Sequence, residues 1–219
     1  MGLALAASTL VKLHIVNCGI SPVGCVSLSD GLAKSSCLTE LHLGGNGIGD
    51  QGAKGLGLAI SQSSTMRKLY LTGCQMRPAG FVALIQGVAM SKSVEELDVS
   101  RNTISEEGSR GLGMALAMSS SITKVLIESC KVSSVACASI CQGAGKSKTL
   151  AVINLSHNPI GDEGARALGE AVAQNNSLLK LHLFSCNISP AGCALLGEGV
   201  CKNVCCSVFW SSLVQPILV

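Results

Sequence analysis

The stretch Leu38-Thr39-Glu40-Leu41-His42-Leu43-Gly44-Gly45-Asn46-Gly47-Ile48 carries apolar residues at its first, fourth, sixth and eleventh positions and asparagine at its ninth. The same frame starts again at Leu10, Met66, Val94, Ile122, Leu150 and Leu178, each start 28 residues after the one before, without an insertion or deletion. Seven frames in fixed register are an internal repeat, and a repeat of this length signals a stack of identical supersecondary units. The ninth position alternates. Asn46, Asn102 and Asn158 fill it in one class of repeat, and Cys18, Cys74, Cys130 and Cys186 fill it in the other. A second alternation agrees with the first: Gly31, Gly87, Gly143 and Gly199 in the cysteine class answer Ala59, Ala115 and Ala171 in the asparagine class. The true period is therefore a pair of repeats.

Each unit reads as a short strand followed by a helix. In Leu41-His42-Leu43 and its equivalents alternate side chains point inward, as the period-two pleat of a strand requires. Ser21-Pro22 and Ser189-Pro190 then supply a capping hydroxyl before a proline at the first helical position. Asp50, Glu106 and Asp162 place a carboxylate near the helix N-terminus, where the helix dipole favours negative charge. Helical spacing follows at Ala53, Leu56 and Ile60, and again at Ala165, Leu168 and Val172. Polar tetrads, Gln62 to Thr65 and Gln174 to Ser177, turn the chain back to the next strand. One such unit cannot cover its own apolar stripe and buries it against its neighbour. The expected fold class is α/β, a horseshoe solenoid with parallel strands on the concave face and helices on the convex face.

The expected solenoid occupies residues 1–203, a partial repeat at 1–9 followed by seven repeats starting at 10, 38, 66, 94, 122, 150 and 178. Residues 204–219 form a non-repeat apolar tail with no charge and no frame. Solenoids use polar caps, and neither end carries one. Two expectations follow: the chain is a piece of a longer protein, or the tail folds onto the last repeat as a cap.

Hydrophobic residues make up 47% of the 219 but aromatics only 2%, so the core must be built from Leu, Ile, Val and Ala in similar layers. The 16 basic and 13 acidic residues are dispersed, and a net charge of +3 argues against a polyanion. With no basic run interleaved with aromatics, no nucleic acid is expected as a partner. No apolar stretch approaches the roughly 18 residues of a membrane span, so no membrane partner is expected either. Met1 to Ser8 lacks the basic start of a signal peptide. Most of the 12 cysteines recur at fixed places in the repeat, which suits buried thiols in a reducing, cytoplasmic setting.

The run from Asn154 to Val172, Asn-Leu-Ser-His-Asn-Pro-Ile-Gly-Asp-Glu-Gly-Ala-Arg-Ala-Leu-Gly-Glu-Ala-Val, resembles the ribonuclease-inhibitor-type leucine-rich repeats, which alternate asparagine-class and cysteine-class units. It is similar to repeats of NOD-like receptors and of Ran GTPase-activating proteins. The resemblance covers about residues 1–203. It implies a non-enzymatic protein-binding scaffold, part of a larger receptor or scaffold protein, with no cofactor and no small-molecule substrate. Two alternatives stay open: an activator of a Ran-type small GTPase, although that family's acidic tail is missing, and a ribonuclease inhibitor, although that needs an acidic concave face bearing Trp.

The third and fifth residues of each frame flank the inward strand residue and face the concave surface. The third position runs Lys12, Glu40, Lys68, Glu96, Lys124, Val152, Lys180. Across strands about 4.8 Å apart this is a ladder of alternating charge, and cross-strand pairing alone explains it. The fifth position runs His14, His42, Tyr70, Asp98, Leu126, Asn154, His182. Tyr70 and Leu126, with Phe184, are the bulky groups of a polar face and the expected contact residues; His42, Asp98, His182, Lys68, Glu96 and Lys124 surround them. His14 and His42 lie on adjacent strands, but spacing fixes no third ligand, so no metal site is expected. No nucleophile has an evident base and orienting group, so no catalytic residue is named. Gly143-Ala144-Gly145-Lys146-Ser147 mimics a phosphate loop, yet Ile140 stands where the first glycine belongs and the run closes a helix instead of opening one. Cys18, Cys74, Cys130 and Cys186 are expected to be buried at the strand-to-helix turn, and Cys25, Cys137 and Cys193 in the helix core. Cys201, Cys205 and Cys206 are the thiols expected to react.

Overall fold

A computed structural model describes residues 5–203 and 207–209. Three-residue strands alternate with helices of 13 or 14 residues: β1 Lys12–His14, α1 Pro22–Lys34, β2 Glu40–His42, α2 Gly49–Gln62, β3 Lys68–Tyr70, α3 Pro78–Met90, β4 Glu96–Asp98 and α4 Glu106–Met118. The series continues with β5 Lys124–Leu126, α5 Ser134–Lys146, β6 Val152–Asn154, α6 Gly161–Gln174, β7 Lys180–His182, α7 Pro190–Lys202 and β8 Ser207–Phe209. The strands form one parallel sheet in chain order. From β1 to β7 each residue pairs with the one 28 positions later, Lys12 with Glu40 and Glu40 with Lys68 onward. The fold is the expected α/β solenoid. β8 lies in the stretch that the frame leaves out, and it pairs parallel to β7 with Ser207 opposite Lys180, one residue short of the regular step.

Between sheet and helices runs a continuous apolar core. The middle strand residues Leu41, Leu69, Leu97, Val125, Ile153 and Leu181 are buried, as are the frame-opening residues from Leu38 to Leu178 and the helical Leu56, Ile60, Leu84, Leu112 and Leu168. Leu10 and Cys18 depart from their equivalents and are exposed. Among the described residues no strand precedes β1, and on that side Leu5 alone is buried with the core.

The asparagines explain the paired period. Asn102 Nδ2 donates to the carbonyls of Leu71 (2.8 Å) and Val99 (2.9 Å), and its Oδ1 accepts from the N–H of Cys74 and of Met76, both at 3.1 Å. Asn46 and Asn158 repeat the pattern on the turns at Cys18 and Cys130. Each asparagine thus reaches back into the preceding cysteine-class repeat and satisfies a turn that has no polar side chain of its own there. The cysteines answer with a contact one layer further back, Cys74 Sγ lying 3.3 Å from the Leu43 carbonyl and Cys130 Sγ 3.3 Å from that of Val99.

On the helical side the complementary pairing appears: each asparagine-class repeat meets the cysteine-class repeat that follows it through a contact between glycines. A methyl group built on Gly87 would overlap the Gly57 carbonyl, one on Gly143 that of Gly113, and one on Gly199 that of Gly169. Backbone therefore meets backbone at α2–α3, α4–α5 and α6–α7. The α3–α4 joint meets through side chains instead, Phe81 against Gly108 and Ile85 against Gly111, and leaves a groove of about 330 Å³ on the convex face.

Helix starts follow the expected chemistry with one difference. Ser21, Ser105, Ser133 and Ser189 cap α1, α4, α5 and α7, their hydroxyls accepting from first-turn N–H groups. Asp50 and Asp162 lie in first turns as expected, but they also reach to the following helix: Asp50 Oδ1 accepts from Arg77 N–H and Asp162 Oδ1 from Ser189 N–H, both at 2.8 Å. These carboxylates join the two members of a pair. The Gly143 to Ser147 run closes α5, with Ser147 as its C-cap, and leads into β6.

Candidate functional site

Because strand side chains alternate and the register never slips, the third and fifth frame residues form two straight rows on one open face of the sheet. The third-position row is tied together by ion pairs. Lys12 Nζ lies 3.0 Å from Glu40 Oε2, Lys68 Nζ 2.6 Å from Glu96 Oε1, and Lys124 Nζ 3.5 Å from Glu96 Oε2. Glu96 is the hub, since Tyr70 Oη also donates to its Oε2 at 2.9 Å. Burial opposes ionisation of Glu96, but Lys68 and Tyr70 outweigh it and hold the carboxyl below the ordinary range. Burial, then Glu96, pushes the Tyr70 hydroxyl above its ordinary value.

The fifth-position row opens with three rings in contact, His14 tilted against His42 and His42 stacked on Tyr70. His14 and His42 have centroids 3.9 Å apart, and His42 lies on Tyr70 with centroids 4.1 Å apart and planes 25° from parallel. Asp98 follows, its Oδ2 accepting from Thr72 Oγ1 at 2.8 Å and its Oδ1 from Ser100 N–H at 2.9 Å. Leu126 is half-buried beyond it, and His182 on β7 stands 6.1 Å from the ring of Phe184. Tyr70, Leu126 and Phe184 do not form one patch. They sit on or just after β3, β5 and β7, with Asp98 between the first two and Asn154 and His182 between the last two. The structure instead gathers His14, Glu40, His42, Lys12, Tyr70, Glu96 and Lys68 at the β1–β4 end.

Within that end lies a grouping that spacing did not predict. His42 Nε2 is 2.8 Å and His14 Nε2 3.3 Å from the same oxygen, Glu40 Oε1. The hydrogen bonds from His42 and then Lys12 hold the Glu40 carboxyl down at about 2. Reading each row separately hides this, because the glutamate belongs to one row and the histidines to the other. Reading third position against fifth, along β2 for Glu40 and His42 and across to β1 for His14, is the signal that finds it.

The cysteines divide by layer. Cys25, Cys74, Cys130, Cys137 and Cys186 are buried as expected. Burial raises the thiols of Cys74 and Cys130 to about 12. Cys18 is exposed, against expectation, for want of a preceding described layer, and Cys193 in α7 is only half-buried. Cys201 is exposed, while Cys205 and Cys206 lie outside the described residues.

An open stack of strand–helix units in unbroken register defines a solenoid repeat protein. A family model for the Leucine Rich repeat matches residues 6–29, 34–57, 91–113, 146–169 and 174–197, together more than half of the chain. The chain belongs to the leucine-rich-repeat family. No curated protein matches it in sequence. Among solved structures it is similar to "Leiomodin-1 Actin-Binding Site 2 (ABS2)" at 14% identity and a TM-score of 0.56, over 65% of this chain and 86% of that one. It is also matched, at 16% identity and a TM-score of 0.37, to a tropomodulin C-terminal domain of Caenorhabditis elegans, over 92% of this chain and 90% of that one. At 14% identity the likeness to the leiomodin structure concerns the fold alone.

Proposed function

We propose that this chain is a non-catalytic protein-binding module that holds its partner on the strand face, as part of a larger receptor or scaffold of the NOD-like-receptor type. The observation that carries this reading is the register. Seven strands present two unbroken rows of side chains on an open surface, a shape suited to a macromolecule. Exposed ring edges and paired charges supply anchors and specificity there. The buried thiols suit a reducing, cytoplasmic setting. Lys12, Lys68, Lys124 and Lys180 on this face disfavour a ribonuclease inhibitor, whose basic target calls for an acidic surface. Activation of a Ran-type GTPase draws no support from any particular residue.

The test is affinity capture from cytosol, comparing the chain with its Tyr70→Ala, Leu126→Ala, Phe184→Ala variant after both are shown to be folded and monodisperse. A partner retained by the first and lost by the second is the expected result. Equal capture by both overturns the assignment to the strand face. Purified actin, a Ran-type GTPase with a hydrolysis readout, and a ribonuclease inhibition assay are separate arms, and a positive result in one names a different partner class.

A further inference from the structure

We propose that His14, Glu40 and His42 form a binding site for one divalent transition-metal ion, with zinc the ion their chemistry suits best. This inference goes beyond the protein-binding reading and does not depend on it. The site joins two ligands from one strand, Glu40 and His42 at i and i+2 of β2, to one from its neighbour, His14 of β1. Period-two pleating puts all three on the same face. Their donor atoms, two imidazole nitrogens and one carboxylate oxygen, all lie within 4.8 Å of one another. The shorter separations are 2.8 Å and 3.3 Å, both to Glu40 Oε1. Bonds of about 2.0–2.2 Å to a tetrahedral zinc place ligand atoms roughly 3.3–3.5 Å apart, so a small rotation of side chains admits the ion.

The surroundings prepare the ligands. Tyr70 stacks on the His42 ring and restricts its rotation. Lys12 binds Glu40 through Oε2, leaving Oε1 to the two imidazoles. Such outer partners orient metal ligands and hold them ready. The Lys12 charge opposes a cation, but its side chain is 62% exposed, so water screens it and it is free to swing aside. His14 is 54% exposed, which gives an ion a route in. Two nitrogens and one carboxylate oxygen match the mixed ligand sets of zinc, and three protein ligands leave a fourth position on the open face. Nowhere else in the fifth-position row do two histidines stand on adjacent strands.

Isothermal titration of the full chain with zinc chloride, after removal of adventitious metal by chelator, reads the site directly. Cobalt as a probe reports ligand type by its visible spectrum. One ion per chain is expected, with no thiolate charge-transfer band. His14→Gln, His42→Gln and Glu40→Gln should each weaken binding roughly tenfold or more, while His182→Gln and Cys18→Ser leave it unchanged. Circular dichroism confirms that each variant is folded, and the exposure of His14 makes its variant the safest. Absence of stoichiometric binding, equal binding by folded His14→Gln and His42→Gln, or loss of binding in Cys18→Ser overturns the proposal.

Discussion

At the scale of single residues, the asparagines decide more than their number suggests. The turn after each strand leaves backbone N–H and C=O groups away from water, and an unpaired buried group is destabilising by about 1–3 kcal/mol. Asn102 is 5% exposed and serves three carbonyl acceptors and two N–H donors, and of these all but Val99 and Ser100 belong to the preceding repeat. Asn102→Ala is expected to destabilise the chain by about 3 kcal/mol or more. Urea unfolding checks this, through a lower midpoint at unchanged slope. A shift within error of zero would mean that water replaces the side chain without loss.

At the scale of elements, the glycine contacts turn an alternation in the sequence into a packing rule. Helices approach most closely where neither backbone carries a side chain, as at Gly113 and Gly143 between α4 and α5. Gly143→Ala must push those helices apart, and overpacking of this kind is destabilising by about 1–3 kcal/mol. Among the described residues, nothing lies within 4 Å of a methyl group added to Gly197 in α7. There Gly197→Ala should instead stabilise by about 0.4–1 kcal/mol, by lowering the entropy of the unfolded chain. The opposite signs of the two midpoint shifts are the measurement. Two shifts of like sign would show that glycine is replaced at both places for the same reason, and that the close joint is not what the fold requires.

At the scale of the whole molecule, layers meet only their neighbours and the charge ladder runs along the stack, so acid acts on many layers together. Glu96 and Asp162 have carboxyls held below their ordinary values, Asp162 by the Ser189 hydroxyl and N–H. A group whose pKa is lowered by folding contributes stability above the unfolded value, near 4, and that contribution is lost as pH falls through the folded value. The thermal midpoint should therefore drop as pH is lowered from about 5 toward 2. Glu96→Gln should flatten that drop, because the variant has no carboxyl at the hub to protonate. An unaltered pH profile in the variant would remove Glu96 from the acid response.

Repeat number, register, the strand–helix unit, the asparagine and cysteine classes and the two rows on the open face all follow from the sequence, because stacking of identical units maps a fixed linear spacing onto a fixed spatial one. Core positions followed for the same reason, except in the two end layers, where Leu10 and Cys18 are exposed and Cys193 is half-buried. What tertiary structure alone decided are contacts that run diagonally or between non-equivalent positions. These include the convergence of His14 and His42 on Glu40, the reach of Asp50 and Asp162 to the following helix, and the closure of glycine on glycine. The pairing of β8 one residue out of step belongs with them. Periodicity states which residues share a row; only side-chain rotamers and helix separation determine which atoms come within bonding distance.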